Sequence, residues 1–219
     1  MKVFCTGSSY TSWLKDVELV KEIKDADLVM FTGGEDISPA LYGELEVGKE
    51  TYVNVSRDRV EERMFHEALE LGIPMIGICR GGQLLNALSG GKMIQHVTGH
   101  HSVHTIKTNE GEFYVMSSCH HQMMYPYHLE EKEDFELLAW SADPQSRTYL
   151  NGKNEEWEDE DTEMLLCESA FAEPEIIFYP KTKCLCIQGH PEFSQVPDQT
   201  IKYLLKLVDT LLINVDVIA

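Results

Sequence analysis

The stretch Ile73–Gly91, IPMIGICRGGQLLNALSGG, constrains this chain more than any other. An apolar run stops at Gly77-Ile78-Cys79-Arg80-Gly81, and the helical pattern Leu84, Leu85, Ala87, Leu88 starts at once. The pattern is that of a buried strand turning sharply into a helix, with one reactive side chain at the corner. Glycines two residues before and two after Cys79 let the backbone fold that tightly. A cysteine there lies at a helix N-terminus, whose unpaired N–H groups and dipole favour negative charge and hence a thiolate. By itself the motif leaves two readings open: a nucleophile, or an inert cysteine packed as a small hydrophobe. Choosing between them requires partners elsewhere in the chain.

One partner is more than a hundred residues downstream. Glu175–Tyr179 and Cys184–Gln188 flank Pro180-Lys-Thr-Lys183 as a hairpin, and the second strand runs into Gly189-His190-Pro191-Glu192-Phe193. A His and a Glu one residue apart in an extended segment point the same way. Glu192 can then fix the tautomer of His190 while the other ring nitrogen faces a thiol. A second partner is upstream. Lys2–Cys5 reads as a strand, Trp13–Lys24 as a helix capped by Ser12, and Asp27–Phe31 as a strand ending in Thr32-Gly33-Gly34. Strand, helix and strand in thirty residues predict a βαβ unit and a parallel sheet with its site at the carboxyl strand ends. Gly33-Gly34 falls at such an end, where glycine lets a backbone N–H point inward as an oxyanion hole requires; a plain turn is the other reading.

The rest of the chain supplies the frame. Asp36–Thr51 reads as a loop, and Ser56–Leu71 as a helix burying Val60, Met64, Phe65, Ala68 and Leu69 and ending at Gly72 before Pro74. Lys92–Gln95 and Phe135–Trp140 read as strands, Thr105–Ser117 as a hairpin about Asn109-Glu-Gly111, and Thr200–Leu212 as an amphipathic helix before an apolar tail. Four histidines, 96, 100, 101 and 104, are expected to be exposed or to line a cleft, because no carboxylate or cysteine lies among them to complete a zinc set. Asn151–Glu163, the most acidic stretch, reads as a solvated loop without calcium-loop spacing. Acidic residues outnumber basic ones 37 to 18, a net charge of −19 that argues against nucleic acid or an anionic membrane as the partner. Six irregularly spaced cysteines with no CxxC pair, and no long apolar span, imply reduced thiols and a cytoplasmic setting.

GICRGGQ, followed by LLNALSGG and later by GHPEF, resembles the class I glutamine amidotransferase superfamily. Within it, TGGEDISPALYGE, the Arg-Asp helix leading into the elbow and Ser118-Cys-His120-His121-Gln122 are most similar to the gamma-glutamyl-gamma-aminobutyrate hydrolase branch. The resemblance runs from Asp27 to Phe193. It implies one domain over 1–219, an α/β flavodoxin-like three-layer sandwich with a mostly parallel central sheet, a nucleophile elbow and an antiparallel extension. It further implies Cys79, His190 and Glu192 as a catalytic triad, an oxyanion hole from the N–H groups of Gly34 and Arg80, and Gln83, His120 and Gln122 beside a small-molecule γ-glutamyl substrate. No cofactor and no metal are implied. The partner is the substrate alone, a separate synthetase receiving ammonia, or a second copy of the chain; a non-catalytic binding module on the same fold is the remaining alternative. The sequence departs from the family at Thr32, where proline is usual, and at Gln188-Gly-His190, where tryptophan commonly precedes the histidine. It also has a short N-terminus, which predicts a sheet lacking one βα unit and leaving an edge for a partner.

Overall fold

In the computed structural model, residues 1–46, 51–146, 149–151 and 172–214 are described. Short apolar runs become strands: β1 Lys2–Cys5, β2 Glu18–Val20, β3 Leu28–Phe31 and β4 Met75–Ile78, with helix α1 Val55–Glu70 before β4 and helix α2 Arg80–Leu88 after it. Then follow β5 Lys92–Val97, β6 Val103–Thr108, β7 Phe113–Ser117, β8 Met123–Tyr125, β9 Glu136–Ser141, β10 Tyr149–Asn151, β11 Pro174–Tyr179, β12 Cys184–Ile187 and helix α3 Asp198–Val208. A nine-stranded sheet has the order β2-β1-β3-β4-β12-β11-β9-β6-β7, and a smaller sheet has the order β10-β5-β8. From β2 to β12 all neighbours are parallel. From β12 to β7 all are antiparallel. The fold is therefore the expected α/β sandwich, and the antiparallel extension is carried by the two hairpins read from the sequence.

Alternation along each strand divides the core. Leu28, Met30, Ile76 and Ile78 face α3 residues Tyr203, Leu204 and Leu207, together with Trp13 and Leu14. Val29, Phe31, Met75, Cys184 and Cys186 face Phe65 and Ala68 of α1 and Leu84 and Leu85 of α2. Cys184 and Cys186 thus share one face, as their spacing required, and the five described cysteines are free thiols.

Three expectations are corrected. Residues Trp13–Lys24 do not form a helix. A 3-10 turn at Ser8–Thr11, a left-handed residue at Asp16 (φ 51°) and the edge strand β2 occupy the connection. Trp13 and Leu14 plug the core as a pair with Val17 packed against it, while Val20, a stiff β-branched residue, suits the extended edge. The described residues before β3 thus form two strands, β1 and β2, connected by 3-10 turns and irregular chain. The segment after Gln122, for which a helical start was one reading, forms strand β8 with Met123 and Met124 fully buried. The acidic stretch lies almost wholly outside the described residues, as does the end of the chain from residue 215.

The third correction concerns α1. Asn54 caps it, its side chain accepting from the Arg57 N–H at 3.1 Å. Val60 and Leu69 are exposed, and the buried face carries Asp58 and Glu61 beside Phe65 and Ala68. The reason is Arg80, the first residue of α2, which is 1% exposed. Its guanidinium pairs with Asp58 Oδ1 at 2.5 Å and with Glu61 Oε2. Glu61 Oε1 also accepts from Arg57 Nε at 2.9 Å. A buried charge must be paired, so α1 gives its inner slots to carboxylates and leaves two apolar residues in solvent. Removing one member strands its partners; Glu61→Ala is expected to cost about 3–5 kcal/mol of unfolding free energy, measured by urea denaturation. A cost below about 1 kcal/mol would show that the pairing is dispensable.

Candidate active site

The corner predicted at Cys79 is present. Cys79 has φ 52° and ψ −113°, a conformation that costs a non-glycine residue about 1–3 kcal/mol and persists only when its surroundings impose it. The surroundings are backbone. The Cys79 N–H donates to Ile187 O at 2.8 Å, and its carbonyl accepts from the Gln83 N–H at 3.0 Å, the first turn of α2. Gly77 and Gly81 allow the crossing: a Cβ on Gly77 would fall 2.3 Å from the Gly81 carbonyl, and one on Gly81 would fall 2.2 Å from the Phe31 carbonyl.

His190 follows β12, the strand hydrogen-bonded to β4, and so reaches the corner from the neighbouring strand. Its Nδ1 lies 2.8 Å from Glu192 Oε1, and it is close enough to Cys79 for the sulfur to influence its protonation. Burial pulls the imidazole pKa down, but hydrogen bonds and charge from Cys79 and Glu192 more than offset this and push it up to about 10. Phe193 stacks on the ring at 4.4 Å and 10°, and the His190 backbone N–H donates to Ser117 O at 3.0 Å, so ring and backbone are both held. The Cys79, His190 and Glu192 side chains named from the sequence are thus brought to one corner of the sheet.

Opposite them is the loop after β3. Gly34 has φ 144°, where any side chain is strained, and a Cβ there would meet Arg57 Nη1 at 2.1 Å. Arg57 braces this loop by donating to the Thr32 carbonyl at 3.0 Å and to Thr32 Oγ1 at 3.1 Å. The hydroxyl is an acceptor that proline lacks, which accounts physically for threonine at this position. Gly34 and Cys79 line a cavity of about 200 Å³ with Gln83, His120, Gln122, Glu35, Asp36, Tyr52, Cys119 and His121. All three residues expected beside the substrate are therefore cavity walls. Gln83 Nε2 donates to Gln122 O at 3.0 Å and lies 3.5 Å from Gln188 Oε1, so the departure from tryptophan places an amide beneath the cavity floor. Both polar atoms of the Gln122 side chain are buried without a partner. His120 is held well below the ordinary imidazole range, chiefly by burial and then by the charge of His100. The Arg80 side chain is engaged beneath the elbow, leaving only its backbone for the cavity side.

Several site residues have no signal of their own in the sequence. Arg57 reads there only as part of a helix start. Asp36 and His121 meet across the cavity at 3.0 Å, although 85 residues separate them. Tyr10, 6.4 Å from His190 ring to ring, comes from the connection before β2, where the spacing suggests a helix that does not form. The histidines expected to be exposed or to line a cleft are divided: His101 is exposed, but His100 is completely buried and His104 nearly so, packed against Glu173 and Glu175 of the β11 region. His100, His104 and Glu175 are the group among the described residues whose side chains can converge on a metal ion.

Comparison with known proteins places this geometry in a family. The chain is 38% identical over 93 residues to the "Putative glutamine amidotransferase-like protein YvdE" of Lactococcus lactis, covering 41% of this chain and 39% of that protein. It is 41% identical over 76 residues to Protein NtpR of Enterococcus hirae, covering 35% and 32%. The matches thus span about two fifths or less of these relatives' lengths. Among solved structures, a "putative gmp synthase" component from Thermoplasma acidophilum aligns with TM-score 0.56 at 12% identity, over 94% of this chain and 91% of the other. A glutamine amidotransferase of Thermotoga maritima aligns with TM-score 0.50 at 12% identity, over 95% and 82%. At that identity the structures attest the fold alone. The Peptidase C26 model matches residues 11–143, which includes the Gly34 loop, the elbow and the His120–Gln122 wall. The chain belongs to the Peptidase C26 family, a group of glutamine amidotransferase-like proteins.

Proposed function

We propose that this chain hydrolyses a γ-glutamyl amide bond through a γ-glutamyl thioester on Cys79, as a member of the gamma-glutamyl-gamma-aminobutyrate hydrolase branch. The observation that carries the reading is the convergence of Cys79 with the His190–Glu192 pair at the corner of a strained strand-to-helix turn. The Cys79 sulfur, its proton passed to His190, attacks the γ-carbonyl carbon, and the oxyanion is held by the N–H groups of Gly34 and Arg80. The imidazolium of His190 protonates the departing nitrogen, releasing ammonia or an amine. Neutral His190 then takes a proton from water, which cleaves the thioester to glutamate and returns the thiol. Glu192 holds the ring and stabilises its cation throughout. The unpartnered amide of Gln122 suits the polar end of a glutamyl group, and the cavity's volume suits a small substrate.

A second reading, delivery of ammonia to a separate synthetase, is favoured by the rim. Tyr52, a cavity wall, is 74% exposed and Val55 beside it is 49% exposed, apolar surface that a partner would cover at the mouth. The two readings differ in what the purified chain does alone: the hydrolase releases glutamate from γ-glutamyl amines without a partner, whereas the ammonia donor turns over glutamine and depends on one.

Cys79→Ala is expected to lower γ-glutamyl hydrolysis by about 10⁴-fold or more with an unchanged circular dichroism spectrum. Full turnover by that variant would remove the mechanism. Because His190 holds its proton until the pH rises through about 10, the alkaline limb of kcat/KM should fall there. Glu192→Gln removes one of the influences that raise this pKa, so the limb should move to lower pH; a limb that stays in place would detach Glu192 from the imidazole's chemistry.

A further inference from the structure

Beyond the cavity wall formed by His120 lies a second cluster that the hydrolytic chemistry does not use. His104 Nε2 lies 2.8 Å from Glu175 Oε1, and His100 Nδ1 lies 3.7 Å from the same oxygen. The candidate ligand atoms of His100, His104 and Glu175 all fall within 4.8 Å of one another. Ligands at ordinary zinc distances on a tetrahedron are about 3.3 Å apart, so the observed separations bracket that edge. We propose that His100, His104 and Glu175 form a binding site for a divalent transition-metal ion of the Zn²⁺ class, held behind the wall of the catalytic cavity.

Three features set this cluster apart from an ordinary buried polar network. First, polar capacity is left over. Neither ring nitrogen of His100 has a hydrogen bond of good geometry, and Glu175 Oε2 and His120 Nε2 are also buried without partners. Four such atoms in one place are rare unless something else satisfies them. Second, the outer contacts are those that orient metal-bound imidazoles. With Nδ1 turned to the ion, His100 Nε2 lies 3.2 Å from Glu173 Oε2. Glu173 is itself fixed by the N–H groups of Gln145 and Ser146, each at 2.8 Å. His104 is hydrogen-bonded to the Ser102 backbone. Third, the charge requires a cation. Glu175 is completely buried, and its ion-pair contacts among the described residues are the imidazoles of His100 and His104. A divalent ion held by all three would neutralise that carboxylate.

The donor set is nitrogen and oxygen, which suits Zn²⁺ and its first-row neighbours better than calcium or magnesium. His120, whose ring lies 4.4 Å from that of His100 and whose Nδ1 is turned to the Gln122 carbonyl at 2.8 Å, is the further donor available for a fourth position. An ion there would tie β6 to β11 and brace the His120–Gln122 wall. No carboxylate lies among these histidines along the chain; folding brings one from 71 residues beyond His104.

The test uses the full chain, stripped with a chelator and titrated with Co²⁺ and then with Zn²⁺. One equivalent of Co²⁺ should give the strong visible bands of four-coordinate geometry, displaced by Zn²⁺. His104→Ala and Glu175→Gln should each weaken binding more than about 100-fold, and Glu173→Gln, an outer partner, about 10–100-fold. His121→Ala, which disrupts the pair with Asp36 at the cavity, and Cys79→Ala should leave the bands unchanged. Binding below one equivalent, six-coordinate bands, or equal affinity in His104→Ala would overturn the site. If the ligand variants do not fold, X-ray absorption of the Zn²⁺-loaded wild-type chain decides: imidazole scattering with no sulfur supports the site, and sulfur or six-fold oxygen coordination refutes it.

Discussion

The carboxylate of Glu61 is the constraint on which the rest of the site depends. It is buried between two guanidinium groups: Arg80, which starts the helix after Cys79, and Arg57, which braces the loop carrying Gly34. The two proposed oxyanion donors come from different elements, one from the β3 loop and one from the elbow. An oxyanion hole works only if its donors are fixed before charge develops. Through one side chain of α1, the position of the loop and the position of the elbow become a single geometric quantity. The helix gives up apolar burial for this, with Val60 and Leu69 left in solvent while Asp58 and Glu61 turn inward.

The imidazoles around the cavity show how far environment separates chemically identical groups. His190 is raised despite its burial because a thiol and a carboxylate both favour its cation. His120 has burial and neighbouring histidines against it and only a backbone carbonyl in its favour, and it is pushed down. In His104, burial is outweighed by the hydrogen bond and charge of Glu175. Divergent protonation preferences in adjacent titratable groups are what acid–base chemistry requires. Here they favour the cation at His190 and the neutral ring at the wall residue His120.

Much of this was legible in the sequence because it is local. The elbow follows from glycines at fixed offsets around Cys79, the hairpins from turn residues between alternating runs, and the pairing of His190 with Glu192 from the two-residue period of an extended chain. What was not legible is set by tertiary partners. The segment around Trp13 has helical spacing, but its two large residues fill one gap in the core and Val20 joins a sheet edge. The inner face of α1 was misassigned because Arg80 lies beyond the end of that helix. The buried state of His100 and His104 depends on Glu173 and Glu175, which no local window contains.

The change from parallel to antiparallel pairing occurs at β12, and this placement has a consequence for evolvability. Cys79 and His190 leave from the ends of adjacent strands, and the ladder bond from the Cys79 N–H to Ile187 O continues the sheet up to the corner itself. Their separation is therefore inherited from the interstrand spacing of about 4.8 Å, the least variable length in any sheet. The loops that carry Glu35, Tyr52 and Cys119 can lengthen, shorten or exchange side chains and so reshape the cavity, while the pair proposed to react keeps its alignment.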